Sequence, residues 1–160
     1  MSAACPLDPL IVARRARRDS AMALVVRCRA AVDAQAAECA RIQARLDLLE
    51  GERQACRTRL AELVAEGATP VELGRADERS ALLALRMGET RGELMAAERS
   101  LEAARNELSD ALAAFFRAEA KLDALGQQRQ EWLRARMQRR DRVEEAAADD
   151  LVVHRAVNAR

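Results

Sequence analysis

The order of apolar and polar positions divides the chain into two long stretches of heptad repeats. In the first stretch, apolar residues recur at alternating spacings of three and four, which is the pattern of a coiled-coil seam. The seam consists of Val25, Cys28, Val32, Cys39, Ile42, Leu46, Leu49, Cys56, Leu60 and Leu63, and only Gln35 and Arg53 interrupt it. The pattern predicts one helix over residues 10–66, preceded by a flexible tail over residues 1–9.

The second stretch has the same period in two columns of residues. One column is mostly large and apolar, and it contains Leu73, Ser80, Met87, Leu94, Leu101, Leu108, Phe115 and Leu122. The other is mostly alanine, and it contains Ala76, Leu83, Thr90, Ala97, Ala104, Ala111, Ala118 and Leu125. We therefore predict a second helix over residues 70–157, in which small side chains alternate with large ones, as interdigitated packing requires.

The segment EGATPVE between the two stretches has the residues of a sharp turn. Gly67 is suited to end a helix in the left-handed conformation. Thr69 and Pro70 suit the N-cap and the first position of the next helix, and Glu72 completes a capping box. These residues predict a turn over 67–69.

The phase of the two seams indicates how the helices pair. A chain that folds back at Ala68 brings together residues whose numbers sum to about 136, so that Cys39 faces Ala97 and Ile42 faces Leu94. The seams meet this condition, which predicts an all-α fold: a long antiparallel two-helix coiled-coil hairpin with an overhanging C-terminal helix. The alternative is a parallel homodimer, in which each heptad meets its own copy and the turn has no purpose.

The second helix is predicted to extend past the first. Leu10 lies opposite Gly126, so residues 127–160 form an unpaired overhang that is basic and then acidic. The segment EWLRARMQRRDR (131–142) holds the only tryptophan and five arginines. Trp132 continues the seam phase and has the composition of an interface anchor. In the alternative, Trp132 covers the open end of the hairpin against Leu7, Leu10 and Ile11.

Because the net charge is +1, only local clusters of charge indicate a binding partner. The register places Arg14, Arg15, Arg17 and Arg18 opposite residues 118–122, next to the basic overhang. Two arginine clusters that are distant in sequence therefore meet beside both termini, where an acidic partner would relieve their repulsion. Leu82 and Leu85 lie off the seam near the turn and indicate a second contact site.

The residue types present exclude most kinds of chemistry. There is one histidine, His154, and the motifs GxxxxGK, GxSxG and HExxH are absent. The four cysteines lack the CxxC spacing of a zinc site. Ala, Glu, Lys, Leu and Arg make up 99 of 160 residues, a composition typical of long helices. We expect no enzymatic activity, no cofactor, no metal and no small-molecule substrate.

The location of the protein is predicted from two further features. Arginines follow the N-terminal apolar run, which is the reverse of a secretory signal, and no segment has the ~18 apolar residues of a membrane span. We therefore predict a cytoplasmic protein without membrane insertion.

Nucleic-acid binding is the alternative to a protein partner. A basic helix with one stacking aromatic suits phosphate contact. The near-zero net charge and the acidic run EEAAADD directly after the arginines disfavour it, so nucleic acid is not the expected partner.

The organisation of the chain resembles the central-stalk proteins of type III secretion and flagellar export, the FliJ and YscO group, and most of all their coiled-coil counterparts in plant-associated Hrp secretion systems. The resemblance covers nearly the whole chain. It rests on the N-terminal segment LIVARRARRDSA, the hairpin, the tryptophan and arginine region, and the acidic pair Asp149 and Asp150 before His154 and Arg155.

The resemblance implies a cytoplasmic stalk of a virulence-type secretion system with protein partners. The end with both termini would insert into the hexameric secretion ATPase, the hairpin would reach the export gate, and secretion chaperones would be further partners. ATPase contacts would fall on Arg14, Arg15, Arg17, Arg18, Trp132, Arg134, Arg136, Arg139, Arg140 and Arg142, with Asp149 and Asp150 following them. Leu82 and Leu85 would face the gate.

Overall fold

Two helices account for nearly all of the structure, a computed structural model that describes residues 5–158, with side chains described for residues 5–148. Helix α1 spans Asp8–Glu66, and helix α2 spans Pro70–Asn158. The helices pack against each other, and no strand occurs in the range 5–158. The predicted helical hairpin is therefore confirmed.

Helix α1 begins at Asp8, two residues before the start that the apolar pattern indicated. The amide of Asp8 donates a hydrogen bond to the carbonyl of Cys5 at 3.0 Å, and the amide of Ile11 donates to the carbonyl of Leu7 at 2.9 Å. Pro9 suits a first turn because its missing N–H has no helical partner there. An acidic residue in the first turn also interacts favourably with the helix dipole.

The turn between the helices ends α1 in a Schellman motif. Gly67 has a φ of 74°, the left-handed conformation that only glycine adopts at no steric cost. The amide of Ala68 donates to the carbonyl of Leu63 at 2.9 Å, and the amide of Gly67 donates to the carbonyl of Val64 at 3.2 Å. These two bonds satisfy carbonyls that the helix leaves without a partner.

Helix α2 begins with the capping box that its sequence indicated. The amide of Thr69 donates to Glu72 Oε2 at 2.9 Å, and the Thr69 hydroxyl lies 2.8 Å from the same oxygen. The amide of Glu72 in turn approaches Thr69 Oγ1 at 3.4 Å. The hydrogen bonds from Thr69, first from its amide and then from its hydroxyl, hold the pKa of the Glu72 carboxyl below its usual range.

The residues form two compact units, and the first of them, the turn unit, consists of Val25–Ala111. Its buried side chains occupy the predicted seams: Val25, Ile42, Leu46, Leu83, Met87, Thr90, Ala97, Ala104 and Ala111. The Thr90 hydroxyl is satisfied within α2, because it donates to the carbonyl of Arg86 at 2.9 Å. The turn unit therefore has a narrow core of one seam against the other.

Two ion pairs flank the core of the turn unit and agree with the predicted register of its helices. Arg45 pairs with Glu93, and Arg91 pairs with Glu50 at 3.0 Å. The numbers of these partners sum to 138 and 141, close to the value of about 136 that the seam phase predicted. Both pairs are exposed, so they contribute more to register than to stability.

The second unit, the termini unit, consists of residues up to Leu24 together with residues from Leu112 onward. The seam of α1 continues through it as a series of half-buried residues at heptad spacing: Leu7, Ile11, Arg14, Arg18 and Ala21. On α2 the half-buried residues at the seam positions are Phe115, Ala118, Leu122, Leu125, Arg129 and Trp132. Three arginines, Arg14, Arg18 and Arg129, thus occupy positions that the turn unit fills mostly with apolar residues.

Candidate functional site

The four N-terminal arginines divide between two environments. Arg14 and Arg18 lie on the seam and are half-buried, whereas Arg15 and Arg17 are exposed. A long arginine stem packs along apolar surface while its charged head reaches water, so a seam position tolerates it. The Nε atom of Arg18 lies 3.0 Å from Asp19 Oδ1. The predicted cluster therefore presents two exposed cations.

Within the termini unit, a cavity lies between α2 and two arginines of this cluster, Arg14 and Arg17. Its volume is 240 Å³, and it is lined by Arg14, Arg17, Ala114, Arg117, Ala118 and Lys121. The register predicted Arg14 and Arg17 opposite residues 118–122, and the lining agrees with that pairing. Arg117 and Lys121 were not predicted as site residues. Their signal was present in the sequence, since they lie on the same face of α2 four residues apart.

An ion pair extends the contact between the helices past Gln127. Arg129 Nε donates to Asp8 Oδ1 at 2.7 Å, and this bond raises the pKa of the Arg129 guanidinium. Cys5 is buried, which adds a covered residue just before α1 begins. The prediction that α2 has no partner from Gln127 onward is therefore corrected. The reason is that α1 starts at Asp8 rather than near Leu10, so more of α2 is matched.

Trp132 is half-buried and lies under an arginine of its own helix. The guanidinium carbon of Arg136 is 5.2 Å from the centroid of the Trp132 ring, within the range of a cation–π interaction. Whether Trp132 is covered by Leu7, Leu10 and Ile11 or anchors an interface stays a prediction. Of the three residues expected to cover it, Leu7 and Ile11 are half-buried, and Leu10 is exposed.

A surface that is both cationic and apolar follows Trp132 on α2. We call it the basic surface; it consists of Arg134, Arg136, Arg139, Arg140 and Arg142 with Leu133 and Met137. Within it, Arg140 pairs with Glu144 at 3.2 Å, one turn later. Arg139 Nε donates to the carbonyl of Ala135 at 3.3 Å.

Two apolar members of the basic surface were missed by the sequence analysis. Leu133 is exposed, and Met137 is 61% exposed. They lie four residues apart, on one face of α2, and that spacing was their signal. Val143, which continues the seam phase, is 68% exposed, so the seam runs on without cover beyond Trp132.

The apolar residues near the turn are as accessible as predicted. Leu82 is 48% exposed and Leu85 is 61% exposed. Val71 lies two heptads before Leu85 on the same face of α2, and Val64 lies at the end of α1; both are exposed. The sequence analysis missed both valines, although the heptad offset of Val71 from Leu85 indicated a shared face.

The structure says less about the remaining predicted residues. Asp149 and Asp150 lie outside the residues whose side chains are described, as does His154, so their roles stay predictions. The cysteines Cys28, Cys39 and Cys56 are half-buried on the seam, and all four cysteines are free thiols.

Within the described part of the chain, no cluster of three His, Cys, Asp or Glu side chains has metal-binding geometry. No helix in that part is long and apolar enough to span a membrane.

These features define the class of the protein as an antiparallel two-helix coiled-coil hairpin with a basic surface on the longer helix. Comparison with solved structures finds the same fold in CT670 of Chlamydia trachomatis, a protein named as a candidate YscO homologue. The two are superimposable with a TM-score of 0.86 over 99% of each chain, at 17% sequence identity. At this identity the likeness shows a shared fold. No protein-family model and no curated protein sequence matches the chain.

Proposed function

We propose that this chain is a non-enzymatic coiled-coil stalk of a type III secretion system. In this proposal the termini unit docks into the hexameric secretion ATPase, and the chain links that ATPase to the export gate from the cytoplasmic side. The resemblance of the sequence to the family supports the proposal. The fold supports it as well, because it matches a protein named as a candidate YscO homologue over 99% of both chains.

The observation that carries the proposal is the basic surface. Arg134 and Arg142 have no acidic partner among the described side chains. Like charges are also neighbours on the helix, because Arg139 lies three residues after Arg136 and three residues before Arg142. Clustered like charges on a helix are unfavourable until an opposite charge approaches. Tryptophan, arginine and methionine are also the residues that protein interfaces favour. A protein partner with acidic and apolar groups fits this surface.

The exposed residues near the turn support a second contact, with the export gate. Leu82 and Leu85 lie three residues apart on α2, so their side chains share one face of the helix. Both are exposed, as are Val64 and Val71. An apolar partner surface would gain from burying them, by about 25 cal/mol for each Å² of apolar area removed from water. Secretion chaperones are proposed as further partners, without assigned residues.

The first experiment is a pull-down of the purified secretion ATPase with the full chain. The test variant is Arg134→Ala, Arg139→Ala and Arg142→Ala, which removes three cations from exposed positions. We expect circular dichroism to show unchanged helicity and the pull-down to lose ATPase. The matched control changes Arg75, Arg86 and Arg99 to alanine, which removes three exposed arginines from the turn unit and should leave binding intact. Retention of the ATPase by the test variant would overturn the proposal.

The second experiment uses Trp132, the only tryptophan of the chain, as a reporter. Docking of the termini unit should change the emission of Trp132 when the ATPase is added. Added salt should weaken this complex moderately, because apolar groups share the contact. A complex with nucleic acid should instead weaken steeply with salt, since it depends on counterion release. An unchanged emission spectrum in the presence of bound ATPase would place the contact elsewhere.

A further inference from the structure

The cavity between Arg17 and Lys121 is lined by cations without a counter-charge. Four of its six lining residues are basic, namely Arg14, Arg17, Arg117 and Lys121, and none is acidic. None of the four has an ion-pair partner among the described side chains. The other two residues are alanines, Ala114 and Ala118, which are short and carry no charge.

Two cavities of the turn unit differ from this one in charge. The first, 430 Å³ in volume, is lined by three arginines, but it also contains Glu52, and its Arg59 is paired with Glu62 at 3.0 Å. The second is lined by Arg53, Arg57 and Arg91, and it also contains Glu50, the ion-pair partner of Arg91. In both, one lining residue is acidic, and one arginine has an ion-pair partner. The cavity of the termini unit has no acidic lining residue, so its counter-charge has to come from a bound ligand.

The register makes the like charges at this cavity face each other. Arg17 and Lys121 have numbers that sum to 138, the same value as for Arg45 and Glu93. The turn unit thus places an opposite-charge pair at the position where the termini unit places two cations. Like charges that face each other across a helix interface oppose pairing. An anion bound between Arg17 and Lys121 would remove this repulsion.

The chemistry of the lining suits phosphate. Arginine presents paired donors that match two oxygens of a phosphate group, and lysine adds a compact point charge. Lys121 is the only lysine of a chain whose other 26 basic residues are arginine. The volume of 240 Å³ is many times the about 10–15 Å³ that a cavity needs to hold one water on the same measure, so several phosphate oxygens fit.

We propose that this cavity binds a multivalent phosphate anion, with Arg14, Arg17, Arg117 and Lys121 as its ligands. The anion binds between α1 and α2 and replaces the repulsion of like charges with hydrogen bonds to both helices. It therefore stabilises the pairing of the helices in the termini unit. Arg14 and Arg17 are also among the expected ATPase contacts, whereas Arg117 and Lys121 are not. Variants of Arg117 and Lys121 therefore test the anion site separately from the stalk function.

The test is isothermal titration of the full chain with sodium tripolyphosphate and, in a separate arm, with ATP. Chloride at matched ionic strength is the reference. We expect binding of tripolyphosphate, and at ten times its Kd a rise in Tm of about 3–6 °C. Binding in both arms identifies the phosphate chain as the recognised group. Binding of tripolyphosphate alone identifies an inorganic anion, and binding of ATP alone identifies a nucleotide.

The test variant is Arg117→Gln with Lys121→Gln, both exposed positions on α2. It should lose anion binding at least tenfold, and without anion its Tm should be higher than that of the natural chain because two like charges are gone. The control, Arg75→Gln with Arg79→Gln, removes two cations from the 430 Å³ cavity and should bind anion as the natural chain does. Absent binding in both arms, or equal losses in variant and control, would overturn the proposal.

Discussion

Asp8 Oδ1 accepts a hydrogen bond from Arg129 Nε at 2.7 Å, which joins the first residue of α1 to a residue 121 positions later in the chain. The bond lies beyond Gln127, in a part of α2 that the sequence pattern had left unmatched. It therefore marks how far α1 accompanies α2 in the termini unit. The half-buried Trp132 follows one turn later on α2.

Removing this ion pair should loosen the start of α1. In Asp8→Asn we expect faster amide hydrogen exchange for residues 8–14, because Arg129 no longer holds that turn. The global Tm should change little, since a half-exposed pair at a helix end contributes little to stability. The control is Arg105→Gln, which breaks an ion pair within α2, with Glu102 at 3.8 Å. Unchanged exchange in Asp8→Asn would show that the pair does not hold the helix start.

The N-cap residue of α2, Thr69, should contribute measurably to the stability of the chain. Thr69→Ala removes the hydroxyl that forms half of the capping box, and loss of such a cap costs about 1 kcal/mol. For a chain of this size the Tm should fall by about 2–4 °C in a thermal melt. Thr58→Ala is the control, because the Thr58 hydroxyl donates to the carbonyl of Gln54 within α1 and caps nothing. The control should melt at or above the natural Tm.

Glu72 should make the hairpin sensitive to acid. Its pKa is lowered in the folded chain by the hydrogen bonds from Thr69, so the carboxylate form is favoured by folding. That contribution is present above the unfolded pKa of about 4.3 and is lost as the pH falls through the lower folded value. In urea unfolding between pH 7 and pH 3, Glu72→Gln should show a smaller loss of stability than the natural chain. Parallel curves for the two proteins would contradict this assignment.

Two glycines should respond to alanine in opposite directions. Gly88 lies inside α2, and a Cβ there would meet nothing within 4 Å, so Gly88→Ala should stabilise the chain by roughly 0.5–1 kcal/mol. Gly67 has equal space but a φ of +74°, so Gly67→Ala should destabilise the turn by about 1–2 kcal/mol. Urea unfolding measures both. A stabilising Gly67→Ala would mean that the turn does not need the left-handed conformation.

A designed disulfide tests the direction of helix pairing. Cys39 and Ala97 face each other by the seam register, so Ala97→Cys, with the other native cysteines changed to alanine, should form a disulfide within one chain. Non-reducing mass spectrometry should show a monomer lighter by two hydrogens. Ala96→Cys, one residue off the seam and exposed, is the control and should stay reduced. A cross-linked dimer in place of the monomer would favour the parallel homodimer.

Most of the fold was predictable because its signals are local. The heptads from Val25 to Leu63 and the turn residues at Gly67 and Thr69 specify helix, turn and helix within short windows of sequence. The register followed from the phase of two such patterns, and the ion pair between Arg45 and Glu93 agrees with it. The exposure of Leu82 and Leu85 followed from their places off the seam.

The termini unit was harder to predict because its seam contains charge. Arg14 and Arg18 occupy seam positions, and a search for apolar residues stops short of them at Val25. Their half-burial depends on what lies opposite, where Ala118 and its neighbours leave room for long stems. The register placed Arg14 and Arg17 opposite residues 118–122, but the cavity itself was not predicted, since its shape depends on side chains from both helices.

The sequence by itself determined two helices, the position of the turn and the register of the seams, because periodicity and capping are properties of neighbouring residues. Only the tertiary structure decided how far α1 covers α2, which arginines lie on the seam and which on the surface, and that Trp132 is half-covered. Those outcomes depend on contacts between residues more than a hundred positions apart, and one turn more or less at the start of α1 changes them.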